Sequence, residues 1–433
     1  MKKYTLIYFI LLAYMLGVAL PIQAQNTLKK LPISTPESVG MSSERLQRVG
    51  TLMQDYLDRD WIPGAVVIIA RQGKVVYHEA YGKNGITDKS EMQKDDLFRI
   101  ASMTKPIISV AAMMLYEEGK FLLDEPVSKY IPEFKDAIIL QEFNPKDSSY
   151  TSTPAKKAIT IRHLLTHTSG ISYGFMDAKR VGAIYGKAGI PDLATMANTT
   201  IGEEVKKLAK LPLLHEPGEG WSYGLNTDVL GYLVEVLSGK KLDVFLQESI
   251  LGPLQMNDTR FFYNKNAEKR LVKMAYEAKD GTVDFYKDDP QADVANFPVS
   301  GAKTYFSGGS GLCSTAEDYF KFCQMILDEG KANGKVFLSP KTIELMTKNQ
   351  IGDKIMWGGS AKFGLGLSIA TPESSLKQLG SVGRLGWGGA FNTTFWIDPK
   401  EEVIAVLMTQ IYPTTHKEVY DKFENMVYQA IIE

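Results

Sequence analysis

Apolar residues recur at helical spacing over residues 43–57, where Leu46, Val49, Leu52, Met53 and Tyr56 share one face. Ser42 or Ser43 is placed to cap that helix. The period then changes. Residues 64–70 form a β-branched apolar run, Arg71-Gln72-Gly73-Lys74 supplies turn chemistry, and residues 75–81 follow, which predicts a hairpin. Residues 97–100 are an apolar lead into Ser102, from which a helix is predicted to about Glu118, with Gly119 as its stop. Shorter helical patterns fill the middle at residues 162–167, 201–209, 227–237 and 242–250, and another helix begins near Thr315. Strand patterns return at 393–397 and 403–409 around a turn at Asp398-Pro399-Lys400-Glu401, and a helix over about 416–432 closes the chain. Early strands, a helical middle and late strands predict an α/β (α+β) fold, an antiparallel sheet built from both chain ends and flanked by helices. The α/β lobe is expected over about 40–120 and 293–433, with a mostly helical lobe over about 121–292.

Composition narrows the function classes. Of 433 residues, 44% are apolar and 23% charged, so a large core is available and disorder is not expected. Net charge is -1 with no long basic run, which argues against a nucleic-acid partner. Lys2 and Lys3 precede an apolar run over residues 4–20 and then Pro21-Ile22-Gln23-Ala24-Gln25, the pattern of a secretory signal cleaved after Ala24. The rival reading is a membrane anchor, for which the run is slightly short and lacks a second positive flank. No cysteine lies near it to carry a lipid. Residues 25–433 are therefore expected as a mature chain in the periplasm or outside the cell, with no stable membrane span. The two cysteines, Cys313 and Cys323, have no metal-site spacing; buried free thiols are the expectation, and a disulfide, which export would permit, is the alternative.

A hydroxyl nucleophile needs a base within reach and donors for an oxyanion. Gly170-Ile171-Ser172-Tyr173-Gly174 matches the G-x-S-x-G elbow, but that motif requires a strand before the serine, and here a predicted helix end precedes it. The string S-x-x-K occurs at Ser102/Lys105, Ser238/Lys241, Ser300/Lys303 and Ser374/Lys377. Ser102 alone opens a long apolar helix, where unpaired N–H groups and the positive dipole end favour a developing anion. Lys105, three residues on, shares its helix face, and apolar neighbours Ile100, Ile107 and Ile108 would lower its pKa. On spacing alone, a capping serine with a solvated lysine reads equally well.

The segment Phe98-Arg99-Ile100-Ala101-Ser102-Met103-Thr104-Lys105 resembles the active-site segment of the serine β-lactamase and penicillin-binding-protein superfamily, above all its class C-like branch with the esterases. The resemblance continues through Ile161-Arg162-His163-Leu164-Leu165-Thr166-His167-Thr168-Ser169-Gly170, Pro217-Gly218-Glu219-Gly220-Trp221-Ser222-Tyr223-Gly224, Gly308-Gly309-Ser310-Gly311-Leu312 and Leu385-Gly386-Trp387-Gly388-Gly389. It implies a β-lactamase/transpeptidase-like fold, with Ser102 as nucleophile, Lys105 as its base or as the group that keeps Tyr223 basic, and Tyr223 as the proton shuttle, phenol or phenolate. It also implies an oxyanion hole from the backbone N–H groups of Ser102 and Ala390, and a substrate-lining strand carrying Trp387, Gly388 and Gly389. His163 and His167 are then structural rather than metal ligands, the glycine run at 308–311 permits close packing, and no cofactor is needed.

Two departures bear on substrate. The family often shows Tyr-x-Asn, but here Leu225 holds that place and Asn226 comes one position late. Trp387 stands where a cation commonly binds a carboxylate, although Arg384, three residues earlier, is a candidate replacement. A carboxylesterase on small esters is the expectation. A β-lactamase or D-amino-acid-specific peptidase acting on amides is the alternative, and a non-catalytic binder of cell-wall peptide is the reading from another class.

Overall fold

A computed structural model of the chain describes residues 31–87, 90–286 and 297–433; the leader read at residues 1–24 lies outside the described residues. Its centre is a seven-stranded antiparallel sheet. In chain order the strands are β1 (Gly64–Arg71), β2 (Lys74–Gly82), β3 (Lys362–Phe363), β4 (Ser368–Ile369), β5 (Leu385–Gly389), β6 (Thr393–Asp398) and β7 (Val403–Met408), arranged β3-β4-β5-β6-β7-β1-β2. The two ends of the chain meet where β7 pairs with β1, from Val66 opposite Met408 to Arg71 opposite Val403. Every residue of both strands is buried. Their sequences run continuously apolar because helices cover both faces of the sheet.

On one face, α1 (Ser43–Asp58) and the closing helix bury Leu46, Val49, Met53, Phe423 and Val427 against Val67, Ile69, Ala405 and Leu407. Ser42 caps α1 by accepting from the Arg45 N–H, as its sequence predicts. Trp396 belongs to this cluster, so its neighbour Phe395 points to the opposite face. There the Tyr319 ring, on the helix Ala316–Leu327, lies 4.8 Å from Phe395. The Tyr319 hydroxyl also donates to the Met103 carbonyl at 2.8 Å, which ties this helix to the turn carrying Ser102.

Between the two strand groups, α2 (Thr104–Glu117), α3 (Ile201–Leu208) and α4 (Asn226–Ser238) pack together, with α4 touching both others and the short helix Ile161–Leu165. We number Ala316–Leu327 as α5 and Val419–Tyr428 as α6. The residues predicted as one helix over 242–250 instead form Leu242–Leu246 followed by a π turn, Gln247–Leu251. Helix α6 is shorter at both ends than expected. The middle also holds two small hairpins that were not predicted, Ile138–Phe143 with Tyr150–Pro154 and Ala275–Glu277 with Val283–Phe285. The Tyr150–Pro154 strand buries none of its residues and those of the second hairpin are three residues long, so neither writes a clear alternation into the sequence.

Candidate active site

Ser102 sits on a single 3-10 turn, Ala101–Met103, and α2 proper starts two residues later at Thr104. Lys105 is therefore in the first turn of α2, with 1% of its surface exposed. Its Nζ is 3.2 Å from Ser102 Oγ and donates to Tyr173 Oη at 2.9 Å and to the Gly309 carbonyl at 2.7 Å. Burial pulls the Lys105 pKa from 10.5 down to about 7, against an opposing pull from the Asp228 carboxylate.

Tyr223 reaches the same point from the loop before α4. Its ring centroid lies 4.6 Å from Lys105 Nζ and 5.6 Å from the Trp387 ring, and the Ser102 and Trp387 side chains act on its hydroxyl to lower its pKa. Burial raises the Tyr223 pKa and outweighs the effect of those two neighbours. Of the two forms the sequence left open, phenol and phenolate, this burial favours the phenol. Strand β5 brings the third element: its end packs on the Ala101–Met103 turn, and Trp387, Gly388 and Gly389 line it. Ala390 follows directly as an exposed turn residue.

The family model described as Beta-lactamase matches residues 49–428 of this chain. The chain belongs to the β-lactamase family. Among its relatives, Protein Rv1367c of Mycobacterium tuberculosis is 33% identical over 377 residues, covering 83% of this chain and 89% of that one. Esterase EstB of Burkholderia gladioli is 29% identical over 373 residues, covering 84% and 89%. Among solved structures, EstCE1, described as a hydrolase with promiscuous acyltransferase activity, superposes with a TM-score of 0.77 at 27% identity, covering 89% of this chain and 99% of the other. The fold is thus β-lactamase-like, and the chain is a serine hydrolase.

Within this β-lactamase-family site three residues escaped the sequence reading. Tyr173 lies inside the rejected G-x-S-x-G string, and what brings it to the site is its hydroxyl on Lys105, not its neighbour Ser172. The Ser172 hydroxyl is buried and donates to the Tyr173 carbonyl. Asp228, on α4, accepts from Ser307 Oγ at 2.7 Å and from the Gly309 N–H at 3.2 Å, and so fixes the loop whose carbonyl holds Lys105. A Cβ on Gly309 would sit 2.4 Å from the Asp228 carboxylate and 2.6 Å from Tyr173 Oη, so only glycine permits this approach. The available signal was a carboxylate at the start of an otherwise apolar helix. Trp357, stacked on Trp387, is the third.

Arg384 is a correction. It lies on the other face of the sheet, in an ion pair with Glu424 of α6 and over the Trp396 ring. With its guanidinium held behind the sheet by these partners, Arg384 does not share the cleft with Trp387. Asn226 is buried and its amide is committed to the Ile171 carbonyl at 3.2 Å and His167 Nδ1 at 3.1 Å, which leaves it structural. His163 Nδ1 accepts from the Thr160 N–H in a helix cap. Among the described residues no cluster of three or more potential ligands gathers for a metal ion. Lys303 donates to the Tyr263 carbonyl, and Ser374 closes the cap of a short helix, so neither of those S-x-x-K strings forms a pair. Cys313 and Cys323 are unpaired, buried thiols.

Proposed function

We propose that this β-lactamase-family protein is an exported carboxylesterase that hydrolyses small esters through an acyl-enzyme on Ser102. The observation that carries the reading is the buried lysine amine beside the serine hydroxyl, held by neutral acceptors and therefore able to lose its proton near neutral pH. Neutral Lys105 takes the Ser102 proton as Oγ bonds to the ester carbonyl carbon. The negative carbonyl oxygen is received by the N–H groups of Ser102 and Ala390. As the ester C–O bond breaks, the Tyr223 hydroxyl gives its proton to the departing alkoxide, and the Lys105 ammonium restores the phenol. Water then attacks the acyl carbon with the proton transfers reversed, releasing the acid and regenerating Ser102.

An ester rather than a β-lactam or peptide is favoured because the position expected to bind a carboxylate carries an indole, and Arg384 is turned away behind the sheet. EstB and EstCE1 bear names of the same sense. The leader at residues 1–24 supports export.

The test compares Ser102→Ala with Ser172→Ala. With p-nitrophenyl acetate, the first is expected to lose at least ~10³-fold in kcat/KM and its labelling by a fluorophosphonate probe, while the second keeps both. Equal loss in the two variants would refute the nucleophile assignment. Faster turnover of nitrocefin than of the acetate would replace the esterase reading with a β-lactamase one.

A further inference from the structure

The aromatic wall of the site has an outer layer. Trp357 lies on the segment between α5 and β3, and its ring stacks on Trp387 with centroids 5.3 Å apart and planes 21° from parallel. It also meets Tyr223 edge-on at 5.2 Å and Trp221 at 5.0 Å. Trp387 is nearly buried, but 55% of Trp357 remains exposed, and its near neighbour Ile355 is 66% exposed. Trp357 holds a left-handed backbone, φ 49°, beside Gly358 at φ 71°. A bulky side chain rarely adopts that conformation, and strained residues of this kind gather at binding sites. Its position follows from its contacts with the two side chains at the leaving-group end of the cleft.

From this placement we infer that Trp357 is a specificity-determining residue for the alcohol half of the ester, and that the enzyme selects esters of aromatic alcohols. The inference rests on the esterase reading above. Tyr223 delivers its proton to the departing alkoxide, so the alcohol must leave past the Tyr223 hydroxyl. The Trp387 ring stands directly beside the Tyr223 ring, with centroids 5.6 Å apart. The surface the alcohol meets next is the Trp387–Trp357 stack, whose outer indole still has a face open to solvent. A flat apolar ring on the alcohol carbon continues the stack, whereas a methyl or ethyl group leaves Trp357 uncovered. The acyl half is bonded at Ser102, inward of this layer.

Benzyl acetate and methyl phenylacetate test the assignment, because they are isomers that carry the same ring on opposite sides of the ester. The wild-type enzyme is expected to favour benzyl acetate in kcat/KM by at least tenfold. Trp357→Ala should lower kcat/KM for benzyl acetate at least tenfold more than for methyl phenylacetate, and Trp357→Phe should restore most of the difference. Equal losses on the two isomers, or a larger loss on methyl phenylacetate, would overturn the alcohol-side assignment while leaving the esterase reading intact. A wild-type enzyme that turns over neither isomer nor p-nitrophenyl acetate would overturn both.

Discussion

A buried lysine and a half-buried arginine stand on opposite sides of the same sheet, and their surroundings give them opposite roles. Behind the sheet, Arg384 faces the carboxylate of Glu424, and that pairing raises its pKa despite burial. In the cleft, Lys105 is held by two hydroxyls and a carbonyl, none of them charged, and its pKa falls to about 7. A buried charge with a counter-ion stays a charge and serves structure. A buried amine among neutral acceptors gives up its proton readily and serves as a base. The sequence alone put both residues at the substrate; the counter-ion is what separates them.

The sharpest break of this comparison is Lys105→Met. It should lower kcat/KM for p-nitrophenyl acetate by ~10³-fold or more, because the Ser102 proton loses its acceptor. Stability should move the other way. The folded pKa of Lys105 lies below its ordinary 10.5, so the folded state is penalised in full below pH 7, and the penalty fades as pH rises from 7 towards 10.5. The variant is therefore expected to melt above the wild type at pH 6, with the gap closing towards pH 10. A variant that loses stability at pH 6 along with activity would place Lys105 with the structural cations.

Arg384→Met is the mirror experiment. It strands Glu424 in the packing between α6 and the sheet, which should cost about 3 kcal/mol in urea unfolding. Folded enzyme should keep the wild-type kcat/KM, since Arg384 does not face the cleft. Adding Glu424→Leu should recover most of the stability, because a buried pair is often replaced by apolar groups without loss. A fall in kcat/KM of tenfold or more in folded Arg384→Met would return the residue to the substrate side.

The same contrast shows what a sequence can carry. The helix under Ser102, the hairpin of β1 and β2, and the late strands β6 and β7 were legible because burial imposes either a helical period or a continuous apolar run. Ser102, Lys105 and Tyr223 were legible because each sits in an ordered motif, and the fold joins those motifs at one point. Arg384 was misplaced because its nearness to Trp387 in sequence hides the Glu424 carboxylate, on α6, that holds it behind the sheet. Tyr173, Asp228 and Trp357 reach the site through folded contacts with Lys105, the Ser307–Gly309 loop and Trp387. Each looks like an ordinary core or loop residue in its own stretch of chain.

The smallest expected effect probes the one acid that does act on Lys105. The rate should depend on the neutral amine, so log kcat/KM for p-nitrophenyl acetate should climb by about one per pH unit below pH 7 and level off above it. Asp228 stabilises the ammonium form through its charge, and burial in turn raises the pKa of Asp228 itself. Removing that charge in Asp228→Asn makes the ammonium easier to deprotonate. The bend in the profile should therefore move to lower pH, and the relative rate at pH 6 should rise against the plateau. The plateau itself should hold within a few-fold, because the Ser307 hydroxyl and the Gly309 N–H both donate to the same Asp228 oxygen, Oδ1, which asparagine retains. A bend that moves to higher pH would mean that Asp228 acts through the position of the Gly309 carbonyl rather than through its charge, and Lys105 and Arg384 would then differ by geometry more than by counter-ion.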